Sequence, residues 1–135
     1  MTTSNDPARW EYLQRVWDTK RPRIEQTRVV GWLTLHAEAE DEEDGCREIH
    51  ATVRGVYVGC LFFGAHPTRP GRLEGAPEVH PDYRRRGICM VMYDWAEVLG
   101  GSLMAPSDRH SADAAAFWEV RRSRRRDSDQ GPVVP

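Results

Sequence analysis

The stretch Val79–Gly100, VHPDYRRRGICMVMYDWAEVLG, constrains the fold more than any other part of the chain. Pro81 closes an extended segment, because proline offers no N–H to a paired ladder and holds its own φ near helical values. Arg84-Arg85-Arg86-Gly87 follows as a tight basic turn. From Ile88 the apolar residues Ile88, Val91, Met92, Trp95, Val98 and Leu99 recur at spacings of three and four, the period of a helix. Gly100-Gly101 stops that helix, where a left-handed residue is commonly required. Strand, basic turn and helix in this order bring guanidinium groups and a glycine to the place where backbone N–H groups point out of a helix start. Such a place attracts anions.

The turn and its flanks resemble the acyl-CoA-binding motif of the GNAT superfamily of N-acyltransferases, Arg/Gln-x-x-Gly-x-Gly/Ala. Arg84 occupies the first position and Gly87 the glycine, while Cys89 stands where a second Gly or Ala is usual. The lead-in V-x-P-x-Y, Val79 to Tyr83, agrees as well. The resemblance implies acetyl-CoA as cosubstrate. It implies that the main chain of Val79 hydrogen-bonds the pantetheine arm and that Arg84, Arg85, Arg86, Gly87, Ile88 and Cys89 cradle the diphosphate. A diphosphate at a helix N-terminus gains about 0.3–2 kcal/mol from the helix dipole, with charge-assisted hydrogen bonds in addition. Cys89 puts a Cβ and a sulfur where the family's backbone approaches phosphate closely, which predicts weakened binding. A thiol at a helix start also has the setting of a nucleophile, against the simpler reading of a tolerated small residue.

The rest of the chain is bounded by composition. With 135 residues, 39% hydrophobic and 30% charged, one domain with one core is expected. A net charge of -2 gives no global attraction to nucleic acid. Cys46, Cys60 and Cys89 lack CxxC spacing, so no disulfide framework or zinc cluster is expected and a reducing cytoplasm fits. His36, His50, His66, His80 and His110 show no ligand spacing, so no metal is expected either. No apolar run approaches bilayer length, which predicts no membrane association.

Asp6-Pro7 starts a short helix over about 7–19, whose stripe Trp10, Leu13, Val16 and Trp17 is read as docking on the sheet rather than as a ligand platform. Residues 28–38 alternate and read as one strand with Val30, Trp32 and Leu35 inward. The acidic run 38–44 reads as a solvated hairpin tip. Residues 46–54 alternate again, with Ile49, Ala51 and Val53 on one face, and 56–63 read as a strand buried on both faces. Residues 72–79 and 102–105 complete the strands, and a last helix runs from Ser111 or Asp113 to about Arg121. The fold class is therefore α/β (α+β): a GNAT-like mixed, mainly antiparallel sheet with flanking helices, spanning 1–122, followed by a disordered polar tail over 123–135. The family's usual C-terminal strands have no apolar segment here to form them, which leaves an edge that a homodimer would cover.

The family's second pattern, N-x-x-A-x-x-[LF]-Y, falls on Ser111, Ala114, Phe117 and Trp118, two positions agreeing and two departing. The resemblance implies cofactor contacts from Ser111 and Phe117. It also implies an acyl-CoA-dependent N-acyltransferase, moving acetyl to a primary amine by direct attack; the alternative is a degenerate GNAT-fold protein acting through CoA binding or protein contacts. A general base is expected on the strand ending at Val79, where Glu74 and Glu78 are the available carboxylates. Strand parity puts Glu74, Glu78 and His80 on one face and Val79 on the other. Trp118 replaces the tyrosine that the family uses to protonate the leaving thiolate, and an indole N–H is no acid at neutral pH. Ser107, Asp108, Arg109, His110 and Asp113 sit within one loop with no nucleophile elbow, which argues against a hydrolase. Nucleic-acid binding through Arg121–Arg126 is weaker than the reading of a solubilising tail.

Overall fold

Asp6 Oδ1 accepts from the Ala8 N–H at 3.0 Å and caps α1 (Pro7–Thr19), whose first position tolerates proline because that N–H has no helical partner. The structure, a computed structural model, describes residues 5–109 and 111–130, with side chains as far as Arg124; residues 1–4, His110 and residues 131–135 lie outside the described residues. The chain divides into two compact units, Met1–Ala105 and Pro106–Pro135.

The first unit is built on one antiparallel sheet of five strands in sequential order. β1 (Ile24–Val30) and β2 (Leu33–Glu38) form a hairpin through Gly31-Trp32, with Val30 opposite Leu33. Gly31 has φ +59 at the first central position of this two-residue turn, the place where a hairpin of right-handed twist wants a glycine. The single strand expected over 28–38 is therefore corrected to two. Apolar residues continue straight through the turn, so alternation alone does not reveal it, and Trp32 is half exposed rather than inward. β3 (Arg47–Val53) and β4 (Val56–Ala65) are joined by Arg54-Gly55, both at positive φ (+50 and +84), the mirror-image turn that two-residue hairpins favour. β5 (Leu73–Val79) closes the sheet as its second edge.

The expected strand over 102–105 is reduced to a single parallel bridge, Leu73 to Met104. Leu73 N–H donates to Leu103 O at 2.9 Å, and Ala105 N–H donates to Leu73 O at 2.8 Å. α2 (Ile88–Gly100) packs on β3, β4 and β5, burying Ile88, Met92, Tyr93, Trp95 and Ala96. Val98, expected on the apolar stripe, is 68% exposed, and Tyr93 and Ala96 take the inward positions. Leu35, Ile49, Leu61 and Met92 are wholly buried in this layer. Gly75 leaves room there: a Cβ would come within 2.7 Å of Leu61 Cδ1 and 2.9 Å of Met104 Cε, and those side-chain ends would have to shift.

α1 packs on β4, where Trp10 and Trp17 join Tyr57 and Cys60 in a buried cluster. A bulge between β3 and β4 at Ala51/Thr52 lets Tyr57 and Cys60, three apart, share one face. The chain is thus a mixed α+β protein with three helices among the described residues. None of them is long and apolar enough to cross a membrane.

In the second unit, α3 (Ala112–Gln130) is opened by Ser111, whose Oγ accepts from Ala114 N–H at 3.2 Å. It continues past Arg121, so residues 123–130, expected to be disordered, are helical.

Candidate functional site

β5 ends at Val79, and a 3-10 turn, Pro81–Tyr83, carries the chain toward α2. His80 shapes that turn: its Nδ1 accepts from Asp82 N–H at 3.1 Å. The basic turn that follows has alternating handedness. Arg85 has φ +61, Arg86 is not among the positive-φ residues, and Gly87 has φ +82. Backbone that alternates between right- and left-handed helical conformations can tip successive N–H groups toward one side and receive an anion. Gly87 is also the N-cap of α2, contributes no side-chain cap, and no acidic residue stands in the first turn. Within the first turn of α2 no carboxylate opposes a negative charge, the nearest preceding one being Asp82 in the 3-10 turn. Arg84 Nε donates to Val79 O at 3.2 Å, and the Arg86 guanidinium lies 5.4 Å from the centre of the Tyr83 ring. Arg84, Arg85, Arg86 and Gly87 are exposed, Ile88 is buried and Cys89 is partly buried.

The edge of β5 leads to this turn. His80 N–H donates to Val58 O at 2.8 Å, which sets the phase of the antiparallel ladder: alternate residues direct both main-chain groups toward β4. Gly75, Pro77 and Val79 share the phase of Leu73, so their main-chain groups point to the other side. Leu73 meets a bridge there, and Val79 O accepts from Arg84 Nε. Pro77, the poorest strand former of the segment, puts its missing N–H on this side, where no ladder bond is lost.

The expected carboxylates are separate. Glu78 faces α1, where Arg9 Nε donates to its Oε2 at 2.7 Å and an Arg9 terminal nitrogen bonds its Oε1. His80 shares that face, its ring 5.2 Å from Trp10, in keeping with the expected parity. Glu74 is partly buried opposite Gly64, four residues up the strand and so about 13 Å from Glu78. Ser111 and Phe117 belong to the second unit; Ser111 is engaged as a helix cap, and Phe117 meets Trp118 edge-on at 5.6 Å. Pro7, Trp10, Gln14, Tyr57, His80 and Asp82 help line a groove of about 690 Å³.

A second constellation lies on the α1 face, and sequence reasoning missed it. His50 Nε2 is 2.5 Å from Glu38 Oε2 and 4.0 Å from Glu48 Oε1, while its Nδ1 is 2.6 Å from the Tyr57 hydroxyl. Trp17 packs at 5.2 Å from His50 and 4.9 Å from His36, whose Nε2 is 3.0 Å from Thr52 Oγ1. Burial, with the charge of Glu38 adding to it, raises the Glu48 carboxyl above its usual range, against the opposing pull of His50. Burial likewise pushes the Cys60 thiol up to about 12 and raises the Tyr57 hydroxyl. Among the described residues, Glu38, Glu48 and His50 bring one ligand atom each within 4.8 Å of one another. The signal was period two: Glu48 and His50 alternate against Ile49 and Ala51, and Glu38 against Ala37. Only the β2–β3 register, His36 opposite His50, joins the two sets.

No family model, curated protein or solved structure matches the chain.

Proposed function

We propose that the chain is an acyl-CoA-dependent N-acyltransferase of the GNAT type, transferring acetyl from acetyl-CoA to a primary amine. The observation that carries this reading is the adjacency of two elements: the main-chain groups of Gly75, Pro77 and Val79 directed away from β4, of which the Val79 carbonyl already accepts from Arg84 Nε, and the turn Arg85–Gly87 at the start of α2. The pantetheine arm of CoA is an extended chain with two amides, which an open strand edge hydrogen-bonds as it would another strand. The diphosphate beyond it is the dianionic group that an alternating-hand turn and arginines receive. A five-stranded antiparallel sheet flanked by helices is compatible with that fold family.

In the reaction, the neutral amine attacks the thioester carbonyl, the new C–N bond forms, the C–S bond breaks, and the CoA thiolate takes up a proton. Holding the two reactants in line supplies much of the rate gain. The groove beside His80 and Asp82 is the acceptor side in this reading, since it borders the end of β5. Glu74, Glu78 and His80 are the candidates to take the amine proton, Glu78 on release from Arg9.

One observation favours the alternative of a non-catalytic CoA-binding protein: both Glu78 oxygens are engaged by Arg9. Incubating the full chain with acetyl-CoA and a panel of primary amines, and titrating free thiol, separates the two. Amine-dependent thiol release supports the transferase. Saturable CoA binding with no release on any amine supports the alternative, and absence of both overturns the reading.

A further inference from the structure

We infer that Glu38, Glu48 and His50 form a divalent-metal site on the α1 face of the sheet, taking a first-row ion such as Zn²⁺ through one imidazole nitrogen and two carboxylate oxygens. The donor set is the first ground. Mixed nitrogen and carboxylate oxygen ligands suit Zn²⁺ and its neighbours, and three protein ligands leave a position for water.

Geometry is the second. A tetrahedral ion with bonds near 2.1 Å sets its ligand atoms about 3.4 Å apart. His50 Nε2 now stands 2.5 Å from Glu38 Oε2 and 4.0 Å from Glu48 Oε1. One separation must open and the other close by less than 1 Å, by this count of about 3.4 Å, and side-chain torsions of two glutamates supply that. All three atoms already lie within 4.8 Å of one another.

The surroundings are the third. Metal-bound imidazoles are ordinarily held by a hydrogen bond at the other ring nitrogen, and His50 Nδ1 has the Tyr57 hydroxyl at 2.6 Å. In the metal-bound tautomer Nδ1–H donates to the Tyr57 oxygen, and whatever proton lay between Nε2 and Glu38 leaves for solvent. Trp17 and Tyr57 wall the ring, which is 9% exposed, whereas Glu38 and Glu48 side chains keep 30% and 33% exposure and give the ion a way in. Arg47, on β3, is turned to Glu38 O and Glu25 Oε1, and among the described residues it forms no ion pair with the Glu38 or Glu48 carboxylate. The acidic tip beyond Glu38 is built differently: Asp41 Oδ1 accepts from Glu43 and Asp44 N–H, and Asp44 Oδ1 from Cys46 N–H, so those carboxylates make the turn.

The test is calorimetric titration of the chelator-treated full-length protein with ZnCl₂, followed by a thermal melt. We expect one ion per chain and a raised melting temperature. Glu48→Gln and Glu38→Gln, chosen because both side chains are partly exposed and the replacement is isosteric, should each weaken binding roughly tenfold or more. Glu43→Gln at the hairpin tip should leave it unchanged. Absence of saturable binding at submillimolar Zn²⁺ overturns the site, as does binding that survives both ligand substitutions or that falls with Glu43→Gln instead. Co²⁺ in place of Zn²⁺ gives a second reading: tetrahedral visible bands lost in Glu48→Gln support the ligand set, and octahedral aquo-type bands contradict it.

Discussion

Arg9 on α1 holds both carboxylate oxygens of Glu78 on β5, across 69 residues of sequence, in a fork-to-fork pair that ties the first helix to the last strand. The two side chains are 30% and 29% exposed, so solvent screens the pair only in part. Arg9→Ala should cost about 1–2 kcal/mol of stability, and Arg9→Lys should recover only part, because an ammonium cannot span both oxygens. Chemical denaturation of the three proteins checks this. The same pair bears on chemistry. If Glu78 takes the amine proton, Glu78→Gln should lower acetyl transfer by about 10²–10⁴-fold; if it serves only α1, transfer should persist at reduced stability.

Gly87 is the hinge of the proposed anion receptor. Nothing lies within 4 Å of where its Cβ would sit, so Gly87→Ala meets no clash. Its φ of +82 is the obstacle, at roughly 1–2 kcal/mol for a side chain. The variant should fold with a lowered melting temperature, and its affinity for CoA should fall further than its stability, as thermal melts with and without CoA would register.

Cys60 should be an inert thiol. It is 7% exposed and its pKa rises from 9.0 to about 12 through burial first, then the charges of Glu48 and Glu78. A disulfide reagent at pH 8 should label it only after unfolding, in the metal-free protein. Sign follows from proton counts. Between pH 9 and 12 the unfolded chain has lost this proton and the folded one keeps it, so stability is full below 9 and declines as pH rises through that window. The raised Tyr57 hydroxyl acts in the same direction. Urea midpoints measured from pH 8 upward should fall monotonically.

Two tryptophans divide what the sequence discloses from what it hides. Trp17 lies on a helical stripe and is 3% exposed, as its period suggests; Trp17→Ala should cost about 3–5 kcal/mol. Trp32 lies on an equally regular alternation yet is 50% exposed, because Gly31-Trp32 is a turn; Trp32→Ala should change stability by less than about 0.5 kcal/mol. Comparing their urea midpoints checks both.

The same contrast runs through the molecule. α1, α2 and β3 are legible because each carries one clear period, and β4 and β5 because turn residues, Arg54-Gly55, Pro67–Gly71 and Pro81, bound them. The β1–β2 hairpin is not, since apolar residues run unbroken across its turn. The basic turn at the start of α2 is legible as a turn from Arg84–Gly87 alone. The Glu38–Glu48–His50 cluster is not, because its members meet through strand register, and no spacing along the chain encodes that. Nor does composition indicate the Arg9–Glu78 lock, which depends on how α1 lies across the sheet.

The most direct test of the central claim is calorimetric titration of the full chain with acetyl-CoA, beside the double variant Arg84→Glu/Arg86→Glu. The account predicts one molecule bound per chain, and a melting curve shifted by about 2.7 kcal/mol of added stability at 100 times the dissociation constant. Reversing the two charges should weaken binding by at least about tenfold, or 1.4 kcal/mol. No heat at saturating acetyl-CoA, or equal affinity in the double variant, would contradict it.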